Sequence, residues 1–151
     1  MTAAKLIHLL YQTTRAISQG VNQTLAEYGL YSSEWSIIVA LKETGPISQI
    51  ALAKYLNIEP AAISKTVIKL EEKGFVERNY KNDKREKEVL LTEKALNQYA
   101  IWEKAINNHR QSILTDLPEE KQHELYVMLK SIYSNTQSIK SNGTVLLRKD
   151  N

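Results

Sequence analysis

Apolar positions recur along this chain with two different periods, and the switch between them marks its organisation. From Ala3 to Tyr28 the residues Leu6, Leu10, Ile17, Val21 and Leu25, with Ile7 and Ala16 beside them, repeat at helical spacing until Gly29 closes the segment. At about 1.5 Å per residue such a helix is roughly 39 Å long, more than a small core covers, so it needs a partner. A second helix, from about Ser33 to Glu43, carries Trp35, Ile38, Val39 and Leu41 and ends at Thr44-Gly45-Pro46. Its apolar residues are expected in the core. Ile47 then begins a minimal strand predicted to join a later hairpin.

The middle of the chain is more closely specified. Ser48 is placed to N-cap a short helix, QIALAKYL, that stops at Asn57. About three residues later another helix opens near Glu59, with Pro60 where a first helical turn accepts proline. Helices joined this tightly cross steeply, as in a helix-turn-helix. Ala53 permits close approach, Asn57 tolerates the left-handed backbone of the turn, and Ile63 anchors the second helix. Ile63, Val67 and Leu70 share one face and point inward. Ala61, Lys65, Ile68, Lys69 and Glu72 lie opposite, flanked by Ala62 and Ser64, so the outward side is narrow, short near its start and basic. A DNA groove accepts such a face.

Lys73-Gly74 then reads as a helix C-terminus, glycine taking the cap and lysine facing the negative dipole end. Here the period shortens to two. Phe75 to Tyr80 and Glu88 to Leu91 are β-prone runs around the charged tip Lys81-Asn82-Asp83-Lys84-Arg85-Glu86-Lys87, which makes a hairpin wing. Beyond it, Thr92 can N-cap a helix from Glu93 to about Thr115 with Leu96, Tyr99, Ala100, Ala105, Ile106 and Ile113 as its apolar members. Asp116-Leu117-Pro118 interrupts, and a further helix carries Leu125, Met128, Leu129, Ile132 and Thr136. The tail from Gln137 has little helical signal; it is either a frayed end or a segment whose Val145 to Leu147 dock on a neighbouring surface.

The fold expected is mainly α with a small β-hairpin wing. A winged helix-turn-helix core spans residues 30–92, residues 1–29 and 93–140 form a helical dimerisation region, and residues 141–151 form a flexible tail. Dimerisation is inferred from the excess of apolar helix at both chain ends.

Composition changes this picture in three places. A net charge of +3 and a pI near 9.0 are mild, so the total does not argue for nucleic acid. The local balance does: Lys65, Lys69, Lys73, Arg78, Lys81, Lys84, Arg85 and Lys87 stand against Glu71, Glu72, Glu77, Asp83 and Glu86. No cysteine is present, which excludes disulfides and thiol-based oxidant sensing. The N-terminus has no signal-peptide run and no window approaches the roughly 18 apolar residues of a membrane span, so a cytoplasmic chain is expected.

The run Asp83-x-Arg85-x-x-x-Val89-x-Leu91-Thr92, preceded by Leu70-Glu71-x-Lys73-Gly74-Phe75-Val76-x-Arg78, resembles the wing signature of the MarR family of bacterial transcription regulators. The likeness extends over nearly the whole chain, including Tyr28-Gly29-Leu30 and Trp35. Two departures from it stand out: Ala61 and Ala62 stand where hydroxyls are frequent, and Ala95 where a glycine commonly follows the wing. The resemblance implies an obligate homodimer that represses transcription from an inverted-repeat operator. It puts the second helix of the motif in the major groove and Arg85, oriented by Asp83, in the adjacent minor groove. It further implies a small, aromatic or anionic effector held where the first helix meets the winged domain. His8, Tyr11, Arg15 and Trp35 would line that place, although Tyr11 and Trp35 also read as core or interface and Arg15 as a surface charge.

The expected DNA contacts follow from side-chain chemistry. Lys69, Lys81, Lys84 and Lys87 address phosphates, Lys65 a guanine edge, and Ala61, Ala62 and Ile68 thymine methyl groups. Three scattered histidines, His8, His109 and His123, have no zinc-site spacing, and neither metal nor other cofactor is expected. The chain has no phosphate-binding glycine loop and no nucleophile elbow, so no enzymatic activity is expected. The competing class is a winged-helix module that binds protein instead of specific DNA, which the basic tip Lys81 to Lys87 argues against.

Overall fold

A computed structural model describes residues 1–80 and 87–147. By internal packing the chain divides into two units, Met1–His109 and Arg110–Asn151.

In the first unit Thr2 caps α1 (Ala3–Leu25), which tightens into a 3₁₀ turn at Ala26–Tyr28 and stops at Gly29, φ 67°. α2 (Ser32–Thr44) follows, its first turn held by two acceptors from outside the helix backbone. Asn22 Oδ1 on α1 accepts from Ser32 N–H at 2.6 Å, and Glu34 Oε2 accepts from Tyr31 N–H at 3.0 Å. These satisfy donors that a helix start leaves without intrahelical partners. β1 (Ile47–Ser48) leads into α3 (Gln49–Leu56), and Ser48 Oγ accepts from Ala51 N–H as the predicted cap. The turn residue Asn57 has φ 53°, and α4 (Pro60–Glu72) starts with its proline in the first turn.

α4 ends in a Schellman arrangement. Phe75 N–H donates to Leu70 O and Gly74 N–H to Glu71 O, both at 2.9 Å, with Gly74 at φ 74°. β2 (Val76–Tyr80) and β3 (Lys87–Leu91) pair antiparallel from Val76–Leu91 to Tyr80–Lys87, and β1 adds to the other edge of β3 through Ile47–Val89. The sheet order is therefore β1-β3-β2. Thr92 closes the sheet, its hydroxyl donating to Gly74 O at 2.7 Å and accepting from Ala95 N–H at 3.2 Å to open α5 (Glu93–Ile113).

One core joins these elements. Leu25 of α1, Ile37, Ile38 and Leu41 of α2, Leu52 and Ala53 of α3, Ile63, Val67 and Leu70 of α4, and Val89 of β3 are buried together. Each fully buried large aliphatic side chain contributes roughly 1.5–3 kcal/mol, which fixes the outward face of α4 by fixing its inward one.

α5 is turned relative to the sequence reading. Ala95, Tyr99, Trp102 and Ile106 form its buried face, while Leu96, Ile101 and Ile113 are exposed. Trp102 decides this rotation. It is fully buried, it meets Phe75 edge-on at 4.9 Å, and an indole buries more apolar surface than a leucine. Ala95, at 0% exposure, sits against the core where a larger side chain would have to displace it.

In the second unit Leu117 N–H bonds to Leu114 O, and Gln122 reaches back to Leu117 O at 2.8 Å, so the predicted break at Asp116-Leu117-Pro118 is a closed turn before α6 (Glu119–Leu147). α6 continues as helix through residues 141–147, beyond where the sequence pattern gives out. No proline follows Pro118, and a single Gly143 costs only about 1 kcal/mol in a helix that gains one hydrogen bond per added residue.

Candidate nucleic-acid interface

α4, joined to α3 through the left-handed turn at Asn57, keeps one side uncovered. Ala61, Ala62, Lys65, Ile68 and Lys69 are all exposed, Ile68 by 43%, and Ser64 is half-buried at the edge of the same face. Lys65 and Lys69 have no ion-pair partner among the described residues. The result is a strip of methyl groups and two ammonium groups, presented by a helix whose other side is locked into the core. Lys87, exposed at the start of β3, stands on the hairpin beside it. Lys81, Asp83, Lys84 and Arg85 lie outside the described residues.

Two cations of the basic surplus serve the fold. Lys73 spends its ammonium on Glu34 and Gly29 O, and Arg78 on the base of the hairpin forms two hydrogen bonds to the Glu71 carboxylate, one of them Nε to Oε1 at 3.2 Å. The Arg78 hydrogen bond holds the Glu71 carboxyl below its ordinary value; partial burial opposes this, and the positive charges of Arg78 and Lys87 add to it. Lys73 thus does not merely face the helix dipole. Sequence reasoning missed Glu34, since a lone acidic residue at a helix start is what the dipole favours anyway.

The four residues suggested for an effector are not equivalent. Trp35 is 5% exposed and stacks on Tyr99 with ring centroids 5.5 Å apart, whereas His8, Tyr11 and Arg15 are exposed on α1. Among the described residues no three His, Asp or Glu side chains gather as a metal site, and no helix is long and apolar enough to cross a membrane.

A helix-turn-helix followed by a β2–β3 hairpin, with β1 paired to its β3 edge, defines a winged-helix protein, and comparison with known proteins narrows the class. The MarR family model matches residues 30–87. Over 115 residues the chain is 37% identical to the uncharacterized HTH-type transcriptional regulator YwoH of Bacillus subtilis (strain 168), an alignment covering 76% of this chain and 84% of that one. The crystal structure of a MarR transcriptional regulator from Methanosarcina mazei Go1 superposes with a TM-score of 0.82 at 20% identity, over 92% and 94% of the two chains. A mutant MarR from E. coli complexed with operator DNA gives 0.79 at 21% identity, over 85% and 93%. The chain belongs to the MarR family of helix-turn-helix transcriptional regulators.

Proposed function

We propose that two copies of this chain bind an inverted-repeat operator as a homodimer and repress transcription, with α4 in the major groove and Arg85 of the wing in the flanking minor groove. The observation that carries the reading is the exposed strip Ala61, Ala62, Lys65, Ile68 and Lys69 on a helix whose opposite face is fully buried. The fold-level match to an E. coli regulator solved with operator DNA supports it. Two lysines and no other charged donor on that strip favour contacts to thymine methyl groups over hydrogen-bond readout, hence an A·T-leaning site.

Dimerisation is supported by apolar surface that one copy leaves open. Leu6, Ile7, Leu9 and Ile17 on α1 are 37–58% exposed, and in the second unit Leu125, Met128 and Leu129 are 40–55% exposed. Scattered apolar exposure is ordinary, but several such residues along one helix favour a partner surface. Release by a small aromatic or anionic effector, bound near His8, Tyr11, Arg15 and Trp35, is part of the same proposal.

Selection of bound fragments from random duplexes tests the whole reading. The expected product is an inverted repeat with half-sites about one helical turn apart. A protein that sediments as a folded monomer at micromolar concentration, or that enriches no motif, would refute it. Phenolic acids that change neither operator binding nor tryptophan fluorescence would remove the effector.

A further inference from the structure

Lys73, the residue just after α4, is bonded to both helices that flank the winged core, α1 before it and α5 after it. Its ammonium donates to Gly29 O at 2.7 Å, on the link between α1 and α2, and to the carboxylate of Glu34 in the first turn of α2. Its own carbonyl accepts from Lys94 Nζ at 2.8 Å, in the first turn of α5. We propose that Lys73 is a positioning residue that sets the distance between the two recognition helices of a dimer, and with it the half-site spacing that the dimer accepts. The inference rests on the dimeric, duplex-binding reading above and adds to it a determinant of operator geometry that touches no base.

Three observations carry it. The direction of α1 is decided at Gly29, where the backbone turns through φ 67° and a glycine by itself leaves other settings open. Side-chain contacts close them: Ser32 N–H donates to Asn22 Oδ1 at 2.6 Å, Tyr31 N–H donates to Glu34 Oε2 at 3.0 Å, and the Lys73 ammonium lies 5.1 Å from the centre of the Tyr31 ring. Glu34 is 1% exposed and keeps the ammonium in place, so swinging α1 would pull Gly29 O away from a fixed donor. The length of α1 then amplifies the setting. Its 23 residues span about 35 Å, so a tilt of about 10° at Gly29 moves the far end by roughly 6 Å. One base pair rises only about 3.4 Å, and the far end carries the exposed Leu6, Ile7 and Leu9 that favour a partner surface. On the other side Lys94, which also lies 4.7 Å over the Phe75 ring, fixes the start of α5, where Leu96 and Ile101 are exposed. The end of the groove-facing helix is thus tied to two helices with open apolar surface through one residue.

The test is the double variant Glu34→Leu with Lys73→Met, which removes the ties without stranding a charge. Fluorescence anisotropy compares it with the wild type on the selected operator, on operators one base pair longer or shorter between half-sites, and on a duplex with one half-site scrambled. The expected result is wild-type affinity for the single half-site, weaker binding of the selected operator, and a preference among spacings reduced by about fivefold or more, the size of an ordinary coupling between sites. A merely structural role would weaken all these duplexes alike. Lys94→Met, which frees the start of α5 and leaves the buried pair intact, should lower the spacing preference in the same direction. A thermal transition for each variant shows that it is folded. A folded double variant that keeps the wild-type preference, or that loses as much on the single half-site as on the operator, overturns the proposal and leaves the broader function standing. If the double variant does not fold, Lys94→Met with the wild-type preference overturns it instead. A wild type that binds no duplex removes both readings together.

Discussion

Lys73 Nζ lies 2.7 Å from Glu34 Oε1 and 2.8 Å from Oε2, joining the residue just after α4 to the first turn of α2. The third ammonium proton goes to Gly29 O at 2.7 Å, and Glu34 also accepts from Tyr31 N–H, so every lysine donor is used. Glu34 is 1% exposed. The end of the groove-facing helix is thereby fixed to the link between α1 and α2.

Removing one partner should be costly. Lys73→Ala leaves a buried carboxylate without its cation, a change that costs about 3–5 kcal/mol for fully buried pairs. Lys73 is 30% exposed, so water reaches the site and a loss at about the lower end is expected. Urea unfolding measures it. The pair Glu34→Leu with Lys73→Met should lose much less, because no charge is stranded. A Lys73→Ala protein as stable as the wild type would show that the contact contributes nothing.

The Glu71–Arg78 pair predicts an acid limb. Its folded-state pKa lies below the ordinary 4.5, chiefly through the Arg78 hydrogen bond, so on acidification the unfolded chain binds this proton first. The contribution is full above about 4.5 and fades as pH falls through the lower folded value. Glu71→Gln should therefore narrow its stability gap to the wild type in that window. Denaturant midpoints taken from about pH 6 down to about pH 3 report it, and a gap constant across that range would remove the pair from the acid response.

Gly20 and His109 make a sharper geometric prediction. A Cβ placed on Gly20 would lie 2.6 Å from His109 Nε2 and closer still to Cε1, so α1 meets the imidazole only because the glycine has no side chain. Gly20→Ala gains about 1 kcal/mol of helix propensity but forces the ring aside at a cost of about 1–3 kcal/mol. It should destabilise the wild type and stabilise a His109→Ala protein. A double-mutant cycle in thermal or urea unfolding reads that reversal of sign, and additive effects would deny the contact.

Most of the fold was legible because local chemistry and packing agree here. Ser48, Asn57, Pro60, Gly74 and Thr92 are punctuation with one physical meaning each, and all five sit where that meaning requires. Trp102 was missed because hydrophobic spacing alone ranked it with its neighbours; only Phe75, distant in sequence, shows which face it takes. Glu34–Lys73 is a contact across 39 residues, invisible to periodicity. The outward strip of α4 was readable as the complement of Ile63, Val67 and Leu70. The tail pattern weakens after Gln137, yet α6 runs on, since nothing in the sequence stops a helix already under way.

Within the DNA-binding reading, three substitutions should separate into three behaviours. Lys69→Ala removes a phosphate contact and should weaken all duplexes alike, making the salt slope shallower by about 0.9. Lys65→Ala removes a donor aimed at a guanine edge, so its loss should concentrate on sites carrying that guanine. Arg85→Ala should cost more on A-tract operators than on mixed sequence, because a narrow minor groove deepens the negative potential that draws in a guanidinium. Anisotropy titrations on a matched panel of duplexes distinguish the three. If Arg85→Ala weakens A-tract and mixed sites equally, the arginine is only another phosphate contact, and specificity must come from α4 alone.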